Sequence, residues 1–243
     1  MFKKLLLAGT VCTSMLFSSC DTLSTIAKNA DLGALGNTGA LSTAQIAEAL
    51  KEALNQGVTK GVLSLNKTDG FFKDAAVKIL FPSEVKVVEN KLRDLGLGNL
   101  ADEAILKMNR AAEDAAGGAK DIFINAIKSM TITDAMNILM GDKTACTEYL
   151  KKTSSSQLYA KMQPVVHASL NKVGALNVWT NVVTRYNQIP LVSKVNPNLD
   201  DHITNKTMDG IFAKVAAEEQ NIRTNPTVRA TDLMKKVFAK QDK

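Results

Sequence analysis

The chain is poor in the residues that staple, stiffen or catalyse. Among 243 residues there are three cysteines, two histidines, five prolines, and aromatics make up 5%. The cysteines, Cys12, Cys20 and Cys146, are far apart and form no CxxC pair. A zinc site of the usual spacing is therefore excluded. The two histidines, His167 and His202, belong to no HExxH set. No GxSxG elbow and no phosphate-binding Walker loop occurs. Excess charge of one sign is also missing. The 30 basic residues outnumber 24 acidic ones by only six, and the two signs are interleaved. That excludes a nucleic-acid footprint. What remains is an ordinary globular composition, 45% hydrophobic and 22% charged. At this size roughly 70% of the unfolded chain's surface can be buried, so a core needs no disulfides.

The N-terminus has the layout of an export signal. Lys3 and Lys4 are the only charges before Asp21, and an apolar stretch of 13 residues, 5–17, follows them. A membrane span needs about 20 residues. Small residues Ser18 and Ser19 come next, then Cys20. Basic, apolar, then small is a signal peptide. The run Leu16-Phe17-Ser18-Ser19-Cys20 resembles a bacterial lipobox, in which the cysteine is acylated and becomes the first mature residue. Phe17 stands where leucine is commonest in that motif. The alternative is a plain secretory signal with a chance cysteine. Several acyl chains anchor stably, whereas one binds marginally. Cleavage before Cys20 removes two lysines and lowers the charge from +6 to +4. It leaves Cys146 as the one cysteine free of lipid, so no internal disulfide forms. Cys146 is expected to be a small buried apolar group rather than a nucleophile.

Residues 20–41 are expected to be a lipidated cysteine and a flexible tether, rich in Ser, Thr, Asn, Gly and Ala. Such a segment reaches about 25 Å. A short helix through Leu23, Ile26, Leu32 and Leu35 is the alternative.

From residue 42 the pattern is helical. Ser42 with Gln45 forms a capping box, and Ile46, Leu50, Leu54, Val58, Val62 and Leu65 recur every three to four residues. Asp69-Gly70 breaks this helix, and Phe71 and Phe72 are candidate core anchors. Pro82-Ser83 opens the next, with Val85, Val88, Leu92 and Leu95 inward and Gly96 as its cap. Asn99 is expected to cap a third, with Ile105, Met108 and Ala112 inward, interrupted at Gly117-Gly118. Thr131 with Asp134 caps a short helix that Gly141 closes. Helices are then expected over about 143–152, 157–173, 175–187, 199–223 and 231–239, with an extended stretch at 189–197 around Pro190 and Pro197. Fold class is thus all-α: one domain, 42–243, of nine or ten short helices behind the tether. The run from Gly96 to Ala101 matches a loose GxGxxA pattern. It leaves a helix rather than a strand, so it is a cap and a turn.

Three polar groups could form a site. One is Asn109, Arg110 and Glu113. The second is Tyr186-Asn187, ahead of Ile189-Pro190. The third is Glu218, Glu219, Arg223, Arg229 and Asp232. Arg110 with Glu113, and Glu219 with Arg223, have the spacing of helix-face ion pairs. Surface ion pairs and caps are one reading, and a polar cleft where helix ends meet is the other. Asp200, Asp201 and His202 are consecutive, so on a helix they point apart, which suits a solvated helix start. The methionines, among them Met108, Met130, Met136 and Met140, suit a core at helical spacing, or an adaptable apolar lining.

Taken in order, several stretches carry a family likeness. They are Asp69-Gly70-Phe71, Leu95-Gly96-Leu97-Gly98 with Ala101-Asp102-Glu103, and Met108-Asn109-Arg110-Ala111-Ala112-Glu113. Further on come Met130-Thr131 with Asp134-Ala135, Tyr186-Asn187 with Ile189-Pro190, Asp209-Gly210 with Phe212, Ile222-Arg223 with Asn225-Pro226, and Arg229 with Thr231-Asp232-Leu233. Through them the chain resembles the bacterial lipoprotein family called domain of unknown function 4197, over about residues 42–240. The resemblance implies an envelope lipoprotein with its body in the periplasm, and no catalytic residues. It singles out Asn109, Arg110, Glu113, Tyr186, Asn187, Glu219, Arg223, Arg229 and Asp232 as a shared polar site.

Three functions are compatible with this sequence. A non-enzymatic module would meet an envelope protein through one helical face and the membrane through its N-terminal lipid. A carrier or sensor would hold an apolar small ligand between helices. A hydrolase would use a site built from Glu113, Glu219 and His202. No cofactor or metal is expected. Asp21, directly after Cys20, resembles an inner-membrane retention signal of some bacteria.

Overall fold

Ser42 opens the first helix by a reciprocal cap. Its hydroxyl accepts the Gln45 backbone N–H at 3.2 Å, and the Gln45 side-chain oxygen accepts the Ser42 N–H at 2.9 Å. The apolar stripe that follows is buried from Ile46 to Leu65. The structure is a computed structural model, and it describes residues 41–239 except 95, 97, 173, 189, 192, 193, 195 and 197. The signal segment, Cys20 and the tether up to residue 40 lie outside the described residues.

The elements are α1 (Thr43–Leu65), α2 (Lys86–Asp94), α3 (Gly98–Ala116), α4 (Ala119–Lys128), α5 (Ile132–Met140), α6 (Ala145–Lys172), α7 (Ala175–Asn187), α8 (Leu199–Thr224) and α9 (Asp232–Phe238). Single turns of 3-10 helix, Ser83–Val85 and Pro226–Val228, precede α2 and α9. No strand occurs among the described residues, so the fold is all-α. The helices belong to one compact unit, Ser42–Lys243. No helix of the described residues is long and apolar enough to cross a membrane.

The expectation of nine or ten short helices is corrected in length at three of them, although the span expected over 199–223 matches α8. Helices α1, α6 and α8 have 23, 28 and 26 residues. The two helices expected over 143–152 and 157–173 are one continuous α6. Between them lies a serine-rich stretch, whose side chains can compete for backbone groups. Here they fold back on their own helix instead. Thr153 donates to the Tyr149 carbonyl at 2.8 Å, Ser155 to Lys151 at 2.6 Å, and Ser154 to Leu150. Burial continues unbroken through Leu150, Ser154, Leu158, Met162, Val166 and Leu170, each four residues on. Pro164 sits inside α6 and is exposed, so its ring points to solvent.

Other boundaries follow from chemistry. Gly96 and Gly174 take left-handed φ values of +74° and +68° and stop α2 and α6. Helix α3 already starts at Gly98, one residue before the expected cap Asn99. Thr131 and Asp134 form a full capping box on α5. Of the stripe expected on α2, Leu95 and the side chains of Val88 and Leu92 lie outside the described residues, and Val85 is buried. Most of the expected extended stretch 189–197 also lies outside them.

Helix α8 is the axis of the core. It packs against α1 on one side and α6 on the other, with α3 and α7 also in contact. Its Ile203, Ile211, Val215 and Ile222 are buried, and Phe212 meets Phe123 of α4 edge to face, ring centroids 5.7 Å apart. Fully burying a side chain of this size is worth about 1.5–3 kcal/mol, so this layer carries much of the stability. Phe71 is fully buried, whereas Phe72 is half-buried with Lys78 over its ring at 4.3 Å. Met108 and Met130 are core; Met140 is 70% exposed.

Candidate functional site

Residues 66–81 join α1 to α2 without a helix of their own, and their backbone groups need partners. Helix α3 supplies them. Glu113 Oε1 accepts the N–H groups of Phe71 and Phe72, both at 3.1 Å. Asn109, fully buried, accepts the Ile79 N–H at 2.8 Å and donates to the Ile79 and Ile105 carbonyls at 2.8 and 2.7 Å. Arg110 spans Glu113 at 2.6 Å and Asp69 at 2.7 Å. Asp69 holds a left-handed φ of +68°, and Lys73 pairs with it at 2.7 Å. So Asn109, Arg110 and Glu113 do converge, on the loop backbone.

This network makes stability depend on acid. Hydrogen bonds from Lys73, then Arg110, hold the Asp69 carboxyl below its ordinary value of 3.8, and Lys214 does the same for Asp74. A carboxyl with a depressed folded pKa stabilises above its unfolded value and loses that contribution as pH falls through the folded one. The melting temperature is therefore expected to hold from neutral pH down to about 4 and then fall. Asp69→Asn and Asp74→Asn should flatten that acid limb in melts followed by circular dichroism. Identical limbs for wild type and both variants would remove these carboxylates from the account.

The second network joins three helix ends. Glu219, on α8, accepts the N–H groups of Cys146 and Thr147 at 2.9 Å each and the Thr147 hydroxyl at 2.8 Å. It thus caps the start of α6. Arg223, one turn on, pairs with Glu219 at 3.0 Å and donates to the carbonyls of Ile138 and Leu139 at 2.8 and 3.3 Å. It thus caps the end of α5, where cations are favoured. Arg229 donates to the carbonyls of Ile222 and Arg223 at 3.0 and 3.1 Å, closing α8. All three are no more than 6% exposed.

Asp232 stands apart in the first turn of α9, exposed and paired with Lys235 at 3.2 Å. Asn187 ends α7 and is half-buried. The side chain of Tyr186 and all of Ile189 lie outside the described residues. Six of the nine residues singled out by the resemblance therefore fall in two networks, a part-buried one on the 66–81 loop and a buried one among helix ends, with Asp232 on the surface and Tyr186 and Asn187 in α7. The three residues of the hydrolase reading are engaged on different backbone segments. Glu113 holds Phe71 and Phe72, Glu219 holds the start of α6, and His202 donates from Nε2 to the Leu80 carbonyl at 3.2 Å. Glu218 is half-buried beside Gly57.

Cys146 is buried, and its burial pushes the thiol pKa well up, so it is no thiolate nucleophile. It borders an apolar pocket between α1, α8 and α9, lined by Leu54, Val215, Ile222 and Phe238 among others. The pocket holds about 10 Å³, room for at most one water. A carrier of apolar ligands gains no support from it.

An open cleft lies elsewhere, between α6, α7 and the start of α8, with a volume of about 400 Å³. Helix α6 lines it with Tyr159, Gln163, His167 and Asn171, four residues apart and so on one face. Helix α8 presents Asp200 and Asp201 from its first turn, where acids are favoured. Gln163 and His167 Nδ1 donate to Asp200 Oδ2 at 2.8 and 3.0 Å. Tyr159 donates to Asp201 Oδ1 at 2.7 Å, and that bond raises the phenol pKa. The opposite wall is Leu176, Asn177 and Thr180 of α7. His202, the next residue of α8, turns away toward Leu80. No group of three His, Cys, Asp or Glu side chains placed to hold a metal occurs among the described residues.

The sequence contained a signal for this cleft, though a weak one. The polar positions 159, 163, 167 and 171 run beside the buried positions 158, 162, 166 and 170. Any surface helix shows that pattern, so spacing alone does not separate a cleft wall from a solvated face.

No curated protein and no solved structure matches the chain. The model of the family described as Protein of unknown function (DUF4197) matches residues 40–239. That match spans nearly all of the described fold, including α3, α8 and the cleft, and the chain belongs to this family.

Proposed function

We propose that the protein is a bacterial envelope lipoprotein, anchored through an acylated Cys20, whose helical body is a non-enzymatic binding module. Its ligand or partner sits in the cleft between α6, α7 and α8. The anchor rests on the order of Lys3-Lys4, the apolar stretch and Leu16-Phe17-Ser18-Ser19-Cys20. The binding role rests on one observation. The buried acids of the two networks are engaged on backbone groups, while the cleft is open and carries uncommitted polar side chains.

Labelling with an alkyne analogue of palmitate tests the anchor. Wild type should take up label and pellet with membranes, and Cys20→Ala should do neither. Equal labelling of both would remove the lipobox. A Thr180→Cys variant tests the cleft. Thr180 is exposed, Cys146 is buried, and in the acylated mature chain Cys12 is cleaved off and the Cys20 sulfur carries lipid, so a maleimide then reports on the cleft. Its reaction should be several-fold slower in intact cells than on the purified chain. Equal rates would mean the cleft stands empty in the cell.

A further inference from the structure

The chemistry of the cleft narrows its ligand, an inference that rests on the binding reading above. Among the described residues no lysine or arginine lines it, so none of them neutralises a phosphate, sulfate or carboxylate. Its two carboxylates are already engaged. Asp200 accepts from Gln163, His167 and the Asp201 backbone N–H, and Asp201 accepts from Tyr159 and Asn205. Both also sit at the positive end of the α8 dipole, which offsets part of their charge. A small cation therefore meets little uncompensated charge.

The uncommitted groups are of a different kind. Asn171, Asn177 and Thr180 are exposed at the cleft, and each both donates and accepts. His167, held through Nδ1 by Asp200, leaves its Nε2 as a further polar group. Between these groups lie apolar surfaces: half-buried Leu176, buried Leu199 and the Tyr159 ring. The matching ligand carries closely spaced groups that both donate and accept, together with an apolar C–H face. A sugar ring has both. An extended peptide fits less well. Peptides usually gain their main-chain bonds from a free strand edge, and these walls are helices with internally bonded backbones.

We propose that this cleft binds a neutral glycan segment, one to two sugar rings long. Its volume of about 400 Å³ lies within the range of small-ligand clefts.

The test uses the full-length chain in detergent, as wild type and as Cys20→Ala. Titration calorimetry is run with chitotriose and maltotriose as probes, and with trialanine and spermidine for comparison. Both proteins should bind at least one trisaccharide saturably. An Asn171→Ala/Asn177→Ala variant should bind roughly tenfold more weakly, the loss of about 1.4 kcal/mol, with an unchanged melting temperature. Both positions are exposed, so the variant should fold. Three results would overturn the proposal: no saturable saccharide binding, saccharide binding that the double variant leaves intact, or binding of trialanine or spermidine in place of the sugars. Trialanine or spermidine binding lost in the double variant would overturn the glycan but keep the cleft as a binding site. Failure of the binding reading itself shows instead as equal Thr180→Cys labelling in cells and in solution.

Discussion

Replacing Glu219 by alanine is expected to lower stability by about 3–5 kcal/mol, the range for removing one partner of a buried ion pair. Three losses coincide at this position. Arg223, 6% exposed, loses its ion pair with Glu219. The N–H groups of Cys146 and Thr147, at the start of α6, lose their acceptor. The end of α5 then hangs on an arginine no longer positioned by Glu219. Folded domains have only about 5–15 kcal/mol in hand, so the variant should be near its limit. Glu219→Gln keeps the shape and one acceptor oxygen, so it should lose less. Urea denaturation of both variants measures this. A Glu219→Ala chain as stable as wild type would mean that α5, α6 and α8 are held together some other way.

The second large effect is at Phe71. Phe71→Ala should cost about 3–5 kcal/mol, the range for emptying a phenylalanine site in a core that collapses only partly. The site is unusually constrained. Phe71 is fully buried, its backbone N–H is held by Glu113, and its ring edge lies against Gly210 of α8. A Cβ added at Gly210 would stand 2.6 Å from Phe71 Cε1. Gly210→Ala should therefore destabilise by about 1–3 kcal/mol from overpacking, against a gain of about 1 kcal/mol in helix propensity. The two positions should also couple. Phe71→Leu together with Gly210→Ala should cost less than the sum of the single changes, because the smaller side chain makes room for the methyl. Strict additivity in the double-mutant cycle would show that the ring and the glycine do not constrain each other.

These expectations share a physical theme. The polar and charged residues most visible in the sequence are used to hold a loop backbone and helix ends. Asn109 and Glu113 serve the loop at 66–81, and Glu219 and Arg223 serve two helix ends. From spacing, Arg110 with Glu113 and Glu219 with Arg223 looked like surface ion pairs. Both pairs exist, but Glu113, Glu219 and Arg223 are buried. An i,i+3 or i,i+4 spacing places two residues on one helix face and says nothing about which backbone lies against that face.

Local chemistry was legible because it is local. The Ser42–Gln45 and Thr131–Asp134 boxes, the left-handed Gly96 and Gly174, and the apolar stripe of α1 each depend on neighbours within a few residues. They determined an all-α chain and most helix boundaries. Where a local rule had two solutions, it failed. The hydroxyls at 153–155 could break a helix or bond back into it, and burial of Leu150, Ser154 and Leu158 against the core decided for one long α6. The cleft was out of reach for the same reason. Its walls come from residues 159–171, 176–180 and 198–201, which touch only because α6 and α8 pack side by side. Periodicity predicts a polar face, and only the packing of three helices turns that face into a concave one.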